Sequence, residues 1–549
     1  MKRNIIIASL VAWAALSSVS CLKDLDALPL NPTDFTSEMA YGTEYDAYVS
    51  GLAKVYYGMY DCWTAQGIGN GSQGSFLAAQ WLIDECSTDE MLYSSSNESW
   101  AHVVNFNTWN ENPNDLTTGL YSNAMLTITY ANEYLIQTAD EKLDARGVDD
   151  ALKTKIHSLR AEARFIRAFA YWGLIDHYGN IPFVDETTPI GKTAPQYCLR
   201  KDAFEWTVGQ LEELVDGNEL PAAASNYPRV DKGCALALLV RMYLNAEVYT
   251  GTAMWQETKS TCERLFNLHA YDLCPEYRWL FMGDNGENPD ARKEIIFANF
   301  QNIENTAWNW GGCTLVLAQA QDSDMMNDGQ PLGFGAAWSG SHMPTEWVER
   351  FFKPTDVNYE TGEYTVSDKR GYFYIKGHSP EMSEMDDVWT FKKGWAVTKW
   401  TNYPHDMTPA EFAEKAYKCQ FADTEYIYIR LGEIYLAYAE ACLKLGQANI
   451  GLPYLNALRK RGGATEVSSY DSEFLFEEYS RELYWEAHRR RDLIRFGKFC
   501  GANYLWRWKG GSYEGQSFPD YKTVFPIPTT DLQANDNLKQ NPGYDKINN

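Results

Sequence analysis

The sequence predicts a mainly α-helical protein, an α-solenoid scaffold of paired helices with an irregular, partly β, loop-rich insertion. Along three long segments near the two ends of the chain, apolar residues recur at steps of three and four, as on one face of a helix. A shorter helical stretch follows each segment, at about 202–216, 255–268 and 450–461. Between about 270 and 425 this spacing fades. Helix pairs that each need a neighbour to cover an apolar face predict a solenoid.

Each long helical segment ends where glycine or proline supplies a terminator. The apolar stripes are Ile156, Leu159, Ala163, Ile166, Ala170 and Leu174 in the first segment, Ala235, Leu238, Met242 and Ala246 in the second, and Leu431, Tyr435, Tyr438, Cys442 and Leu445 in the third. The first segment stops at residues 179–182, Gly-Asn-Ile-Pro. The second begins at Asp231, a predicted N-cap, and ends at Gly251, and the third ends at Gly446.

A last long and charged helix is predicted at about 474–499. It carries Glu482 and Glu486, which are followed by Arg489 and Arg490. These spacings allow ion pairs between neighbouring turns of a helix, so we expect the charges to pair within the helix itself.

Length, composition and charge restrict the class of protein. The 549 residues exceed the ~250–300 at which a single hydrophobic core usually stops growing. Hydrophobic residues make up 45% and charged residues 22%, so a globally disordered chain is excluded. The net charge of −26 repels phosphate backbones and makes nucleic acid an unsuitable partner.

The first 20 residues have the pattern of a secretory leader. Lys2 and Arg3 form a positive start, residues 5–16 are apolar, and small serines precede Cys21. Twelve apolar positions are too few for a stable membrane-spanning helix, and nowhere else is the chain apolar over 18 residues. A Cys after small residues at the end of a leader is similar to a bacterial lipoprotein cleavage site.

We therefore predict that residues 1–20 are removed and that Cys21 is lipidated, which would anchor the chain to a membrane without a transmembrane helix. Residues 21–45 are polar and contain proline, and they are predicted to form a tether that leads from the lipid anchor to the rest of the chain. The alternative is ordinary secretion, with Cys21 playing no part in attachment.

The rest of the chain, residues 46–549, is predicted to be one domain. Its helical scaffold comprises about 46–270 and 425–500, its insertion about 271–424, and an extended segment about 501–549. An irregular insertion on a rigid helical scaffold is where function is usually carried.

The insertion contains short strand-like runs and many aromatic residues. Residues 294–297 (Glu-Ile-Ile-Phe) and 372–375 (Tyr-Phe-Tyr-Ile) have the β-branched and aromatic character of strands. Eight of the 19 Trp residues lie in the insertion. Motifs of enzymes that cleave by a metal or a serine nucleophile, or that bind nucleotides, do not occur in the chain. A spatial pair of carboxylates for glycoside hydrolysis leaves no sequence signature.

Trp residues in loops rich in Asn, Gly and Ser favour carbohydrate binding. An indole can stack on the C–H face of a sugar while polar neighbours bind its hydroxyl rim. The densest segments are 305–312 and the polar stretch 93–100. The candidate glycan-binding residues are Trp100, Trp308, Trp310, Trp338, Tyr93 and Asn97. The alternative for each Trp is packing within the fold.

One acidic turn, residues 284–290, is a weak calcium candidate through the oxygens of Asp284, Glu287 and Asp290. It lacks the spacing of an EF-hand loop, and a solvated turn is the alternative. No cofactor and no other metal is expected.

Several motifs resemble those of the SusD/RagB family. They are residues 481–497 (RELYWEAHRRRDLIRFG), 525–528 (FPIP) with 541–544 (NPGY), 161–168 (AEARFIRA) with 178–182 (YGNIP), 428–433 (YIRLGE) with 438–441 (YAEA), and 508–511 (WKGG). They occur in the family's order from about residue 160 to the end of the chain. One departure is Ala487, where the family usually has Gly.

The resemblance implies a tetratricopeptide-like scaffold and a cell-surface lipoprotein of a Bacteroidetes-type outer membrane. Such proteins bind glycans through aromatic residues, associate with a SusC-like TonB-dependent transporter and do not cleave the sugar. In the family the signature segment is scaffold, which implies that role for Arg481, Glu486, Arg489 and Asp492. A peptide- or protein-binding uptake lipoprotein of the RagB kind is the main alternative, and a surface glycosidase is the other.

Overall fold

The computed structural model describes residues 40–60, 75–109, 115–188, 193–304 and 311–544. Its helices are α1 (Tyr45–Tyr60), α2 (Phe76–Cys86), α3 (Ser99–Asn105), α4 (Asp115–Gln137), α5 (Asp140–Ala145), α6 (Asp150–Tyr178), α7 (Arg200–Asp216), α8 (Lys232–Leu244), α9 (Ala246–Thr250), α10 (Trp255–Phe266), α11 (Pro289–Arg292), α12 (Gly312–Gln319), α13 (Ser323–Asn327), α14 (Thr345–Phe351), α15 (Pro409–Ala416), α16 (Leu431–Lys444), α17 (Ala448–Arg461), α18 (Ser472–Leu483), α19 (Arg489–Arg495) and α20 (Thr529–Ala534). The predicted leader, Cys21 and most of the predicted tether lie outside the described residues.

The strands are short and pair antiparallel in twos. They are β1 (Leu92–Tyr93), β2 (Ile181–Phe183), β3 (Gln196–Cys198), β4 (Ile295–Asn299), β5 (Ser341–His342), β6 (Thr355–Asn358), β7 (Glu363–Thr365), β8 (Phe373–Tyr374), β9 (Ala396–Val397) and β10 (Tyr426–Arg430). The pairs are β1 with β5, β2 with β3, β4 with β10, β6 with β7, and β8 with β9. Both strand-like runs predicted in the insertion are confirmed, as β4 and β8.

The scaffold helices stack in one continuous series. Helix α4 packs on α6, α6 on α7, α7 on α8, α8 on α10, α10 on α16, and α16 on α17. The three predicted pairs correspond to α6 with α7, α8 with α10, and α16 with α17. Helix α10 packs directly against α16, although the insertion separates them in sequence. The insertion therefore departs from the helix array and rejoins it at neighbouring positions. The predicted helical scaffold with an irregular, partly β insertion is confirmed.

Local signals set the ends of these helices. Asp231 caps α8, as predicted, since its carboxylate accepts the backbone N–H groups of Gly233 and Cys234. Helix α6 begins at the cap Asp149 and ends at Gly179, whose φ of 70° is readily available to glycine. Every residue of α8 from Gly233 to Leu244 is buried, and each fully buried large aliphatic side chain contributes about 1.5–3 kcal/mol.

The single helix predicted at 474–499 is wrong. Helix α18 ends at Leu483 and α19 begins at Arg489. Between them Trp485 and Ala487 have left-handed φ angles of 59° and 58°. The left-handed conformation of Ala487 also explains why glycine, which has no Cβ, suits this position in the family motif that the segment resembles.

Two buried glutamates stabilise the non-helical backbone between α18 and α19. Glu90 accepts the backbone N–H of Trp485 at 2.6 Å, and Glu85 accepts that of Ala487 at 2.6 Å. Both N–H groups would otherwise be buried without a partner. The indole of Trp485 packs edge-on against Trp81 of α2, with ring centroids 5.5 Å apart. The partners are about 400 residues away in sequence, so helical spacing could not indicate them.

The ion pairs predicted inside this segment are also wrong. Glu482 and Glu486 instead receive hydrogen bonds from Arg430 at 2.6 and 2.7 Å. Arg489 donates to Asp89 at 2.6 Å, and Arg490 packs its guanidinium over Phe525. The break turns these side chains away from each other and towards residues distant in the chain.

A buried network of arginines and carboxylates joins the insertion, the scaffold and the signature segment. Its arginines are Arg370, Arg430 and Arg461, and its carboxylates are Asp368, Glu294, Glu478, Glu482 and Glu486. Burial would raise the pKa of Glu478, but Arg370, Arg481 and Arg459 outweigh it and lower that pKa to about 2. At Glu482 burial and nearby arginines compete in the same way, and the arginines hold its pKa far below the usual range. Glu478 and Glu482 therefore both stay ionised.

We expect Arg430→Met to lower the free energy of unfolding by about 3–5 kcal/mol, because it removes one cation from each of three buried carboxylates, Glu294, Glu482 and Glu486. Urea unfolding followed by circular dichroism measures the change. The control is Lys201→Met, which removes an exposed pair with Glu205 and should cost less than about 1 kcal/mol. An Arg430→Met protein as stable as the parent would contradict the stabilising role of the network.

We also expect Glu85 and Glu90 to contribute stability that falls as the pH rises from about 5 to 8. Burial raises the pKa of Glu90 to about 7, and burial together with Glu90 raises the pKa of Glu85 further. The folded protein therefore holds a proton on this pair that the unfolded chain releases near its ordinary, lower pKa. This stabilisation is complete below the pKa that the glutamates have in the unfolded chain. It is lost as the pH rises through the pKa that they have in the folded protein.

Glu90→Gln removes this titration and should flatten the dependence of the unfolding free energy on pH by up to about 1.4 kcal/mol per pH unit. Urea unfolding at pH 5, 6, 7 and 8 tests it against Glu349→Gln, a change at an exposed position. If the unfolding free energy depends equally on pH in the two variants, Glu85 and Glu90 do not share a proton.

Candidate functional site

The ribbon β1–β5 brings the polar stretch 93–100 next to the insertion. Leu92 pairs with His342 and Tyr93 with Ser341, and the backbone N–H of Ser94 donates to the carbonyl of Gly340 at 2.6 Å. Side chains of successive strand residues point to opposite faces. The ribbon thus has a face that carries Tyr93, here called the tyrosine face, and a face that carries Leu92, the leucine face.

On the tyrosine face, Tyr93 and Trp100 pack against each other with ring centroids 4.4 Å apart. The amide of Gln319, at the end of α12, donates to the hydroxyl of Tyr93 at 3.3 Å. A Cβ at Gly340 would lie 1.3 Å from Oε1 of Gln319. A side chain at Gly340 would therefore displace the Gln319 amide, and glycine lets the strap of residues 338–340 pass close to these side chains.

Trp338 lies on the same strap and is 38% exposed, more than Tyr93 and Trp100, the other predicted aromatic residues that the structure describes. Its backbone N–H donates to the carbonyl of Ala318 at 2.8 Å, and that of Gly340 to Gln319 at 3.0 Å. These bonds fasten the strap to the carboxyl end of α12. The structure therefore holds the exposed Trp338 on a backbone segment that is hydrogen-bonded to α12, two residues before Gly340, which lies against Tyr93.

The structure corrects one premise about Trp100. It does not lie in a polar loop without apolar partners, but in α3, where its side chain is 2% exposed. Its Nε1 donates to Glu98 at 3.2 Å. Tyr93 is also buried, whereas Asn97 is exposed in the turn between them. Trp100 and Tyr93 thus support the surface, and of the predicted residues that the structure describes, Trp338 and Asn97 present side chains to solvent.

Trp308 and Trp310 lie outside the described residues. The structure describes Gly311, which directly follows them and precedes the first residue of α12. The carboxyl end of the same helix holds the strap of Trp338. The predictions for these two side chains remain untested.

Sequence reasoning missed His102 and Trp389. Their ring centroids lie 4.2 Å apart, and Nε2 of His102 lies 3.1 Å from the carbonyl of Ser96. Trp389 also packs edge-on against Phe106 at 5.5 Å. These rings adjoin the leucine face of the ribbon. A helical step of two between Trp100 and His102 could have indicated that α3 carries aromatic rings on opposite sides.

The buried histidine of the ribbon, His342, is uncharged. Nδ1 of His342 lies 2.8 Å from the hydroxyl of Ser94. Burial, together with the neighbouring His378, lowers the pKa of His342 to about 3. The imidazole is therefore neutral at physiological pH, and the leucine face, which His342 shares with Leu92, gains no charge from it.

The weak calcium candidates do not converge on a site. Asp284 accepts the backbone N–H of His405 at 2.9 Å, and Asp290 accepts Nζ of Lys293 at 2.7 Å. Glu287 is exposed. The residues form a turn that Asn288 caps at the start of α11.

Within the described residues, His, Cys, Asp and Glu side chains come close enough for a metal at Asp84, Asp176 and His177 alone. Arg491 lies 3.0 Å from Asp84 and 3.5 Å from Asp176 and balances their charge. This group is an ion-pair cluster of the core. No helix among the residues described is both long and apolar enough to span a bilayer.

Comparison with known proteins identifies the same family along both parts of the chain. A family model described as the SusD family matches residues 279–544. A second, SusD-like model, described as starch-binding associating with outer membrane, matches residues 52–244.

The chain is 29% identical over 569 aligned positions to the "Starch-binding protein SusD" of Bacteroides thetaiotaomicron, covering 98% of each chain. It is 22% identical to a SusD-like protein of Bacteroides ovatus, covering 83% of each.

Solved structures share the fold. A SusD superfamily protein from Bacteroides vulgatus superimposes with a TM-score of 0.66 at 20% identity, covering 92% of this chain and all of that one. Surface glycan-binding protein A from Bacteroides uniformis gives a TM-score of 0.66 at 17% identity, covering 91% of this chain and 99% of that one. Two models of one family span most of the sequence, as its motifs predict, and this chain belongs to the SusD/RagB family.

Proposed function

We propose that this protein is a cell-surface lipoprotein that captures an oligosaccharide or polysaccharide and delivers it, uncleaved, to a SusC-like TonB-dependent transporter of the outer membrane. The observation that carries the proposal is the exposed indole of Trp338, on a backbone segment that is hydrogen-bonded to the end of α12 and leads into strand β5 of the ribbon. The names of the family's starch- and glycan-binding members support the same class of ligand.

The geometry suits a sugar for a physical reason. A pyranose presents a face of C–H groups that a flat, rigid indole can cover at low entropic cost. The amide of Asn97 is exposed near the ribbon and can bond hydroxyl groups at the rim of the ring. A binding site of this kind needs no acid, base or nucleophile, which agrees with capture without cleavage.

The peptide-binding alternative predicts a different preference. The two residues of this surface that present side chains to solvent, Trp338 and Asn97, are uncharged and offer no ion pair to a peptide's termini or acidic side chains. Titration with peptides beside polysaccharides separates the two alternatives. An assay for released reducing sugar separates both from a glycosidase.

We expect Trp338→Ala to weaken binding of the preferred glycan by about 1–3 kcal/mol, or roughly 5- to 150-fold, because one stacking surface is lost. Isothermal titration calorimetry with a panel of soluble polysaccharides measures the loss. The matched control is Tyr57→Ala, which removes a ring of similar exposure, 37%, from scaffold helix α1. Parent-like affinity of Trp338→Ala would refute the assigned surface.

The same titrations with Trp308→Ala and Trp310→Ala show whether these two predicted residues belong to the surface. Trp100→Ala is a poor test, because removing a buried Trp costs about 3–5 kcal/mol of stability. Trp100→Phe keeps most of the packing and is preferred.

We expect Cys21→Ser to abolish incorporation of radiolabelled palmitate and to release the protein from the membrane fraction. The substitution removes the predicted site of acylation, and without acyl chains the protein has no lasting attachment to the membrane. Cys198→Ser, at a half-buried free cysteine, is the control and should change neither result. If Cys21→Ser protein stays in the membrane fraction with its label, attachment at Cys21 is disproved and the alternative of ordinary secretion must be tested next.

A further inference from the structure

A cavity of about 490 Å³ lies on the helical scaffold, between the turn that follows α10 and the helices α16 and α17. We call it the scaffold cavity. Its volume lies within the ~300–1,000 Å³ typical of pockets for small molecules. The aromatic and polar residues that line it include Phe266, Asn267, His269, Asp272, Tyr435 and Tyr454. It shares no lining residue with the surface of Trp338 and Asn97.

Three aromatic rings form one side of the scaffold cavity. Phe266 and Tyr454 are stacked with ring centroids 4.9 Å apart. Tyr435 stands at right angles to both, with its centroid 5.5 Å from that of Phe266 and 4.9 Å from that of Tyr454. Each ring is half-buried, so the packing among them leaves part of their apolar surface to a ligand.

The hydroxyl groups of Tyr435 and Tyr454 are available to a ligand. Both keep accessible surface, and within the described residues neither has a hydrogen-bond partner. Burial, together with nearby charges that include Tyr454 and Asp272, raises the pKa of Tyr435 to about 12. The polar ends of these three residues, which come from different elements, are therefore close together at the cavity. Both hydroxyls are protonated and can donate as well as accept.

The turn after α10 adds three polar side chains. Asn267, His269 and Asp272 are exposed, and none of the three side chains forms a hydrogen bond or an ion pair with the part of the chain that the structure describes. The carboxylate accepts hydrogen bonds, whereas the amide and a neutral imidazole both donate and accept them. Water serves these groups in the free protein, and a ligand hydroxyl can take its place.

The backbone of this turn is fixed before any ligand arrives. The N–H of His269 donates to the carbonyl of Phe266, and that of Asp272 to the carbonyl of Lys293, each at 3.0 Å. Between them in sequence, the hydroxyl of Tyr271 lies 3.4 Å from the carboxylate of Asp231, the cap of α8. A wall that is already ordered lowers the entropic cost of binding.

We propose that the scaffold cavity is a second carbohydrate-binding site, which takes a neutral sugar unit independently of Trp338. The C–H face of the sugar would pack on the tyrosine rings. Its hydroxyl groups would donate to the carboxylate of Asp272 and accept from the hydroxyls of Tyr435 and Tyr454. The class of ligand rests on the proposed function, whereas the cavity and its available polar groups do not. Two sites on one chain raise the avidity for a long glycan that reaches both.

Charge and hydrogen-bonding capacity select this ligand. Among the described residues that line the cavity there is no lysine or arginine, and Asp272 would repel an anion. A sugar hydroxyl both donates and accepts, which matches a wall that holds donors and acceptors. Aromatic rings beside a carboxylate also suit a quaternary ammonium ion, so choline is titrated beside the sugars.

Saturation-transfer NMR and calorimetric titrations test the proposal on the chain without its leader and with Trp338→Ala, a background in which the surface of the proposed function is weakened. The ligands are maltose, cellobiose, laminaribiose and mannobiose, and we expect one of them to bind. Asp272→Ala and Tyr435→Phe, each added to this background, should weaken that binding about 3- to 10-fold, as for loss of one hydrogen bond. Glu276→Ala, at an exposed position outside the cavity, is the matched control and should leave the affinity unchanged. Thermal melts confirm that each variant is folded.

The outcomes separate the scaffold cavity from the proposed function. If Asp272→Ala and Tyr435→Phe both leave disaccharide affinity unchanged, or if choline binds in place of every disaccharide, the scaffold cavity is not a sugar site and the proposed function still stands. The second site is also overturned if the Trp338→Ala chain binds none of the disaccharides. If the parent chain binds no soluble polysaccharide either, the proposed function fails with it.

Discussion

The guanidinium of Arg430 lies buried among carboxylates from distant parts of the chain. Glu294 comes from the insertion, and Glu482 and Glu486 come from the signature segment. Ions without water are stabilised only when opposite charges and hydrogen bonds surround them. The network therefore requires the insertion, the scaffold and the signature segment to meet in one arrangement.

The same constraint explains why the signature segment is interrupted. Two carboxyls from the end of α2 and the residues after it, Glu85 and Glu90, need donors in the interior, and the N–H groups of Ala487 and Trp485 supply them. Left-handed conformations at these residues cost free energy, which the hydrogen bonds and the packing of Trp485 on Trp81 offset. Scaffold and signature segment are thus joined by interactions that would be lost together.

The ribbon β1–β5 positions the candidate site because it joins a segment that follows α2 to the insertion. Strand β1 carries Tyr93, and the segment that leads into β5 carries the exposed Trp338. A two-residue pair of strands is unstable alone. Here it is held by the bonds of residues 338–340 to the end of α12 and by the core beneath it.

The sequence by itself determined the helix pairs, the caps such as Asp231, the strand at 294–297 and the family, because each depends on residues close together in the chain or on motifs in a fixed order. It also placed Tyr93, Trp100 and Trp338 among the candidate residues from local composition. Tertiary structure alone decided that Ser94 would meet His342, 248 residues away, that Trp100 would be buried, and that Glu482, Glu486, Arg489 and Arg490 would contact residues distant in the chain. Helical spacing reports neighbours within a few turns, whereas burial and ion pairing depend on which distant surfaces the topology brings into contact.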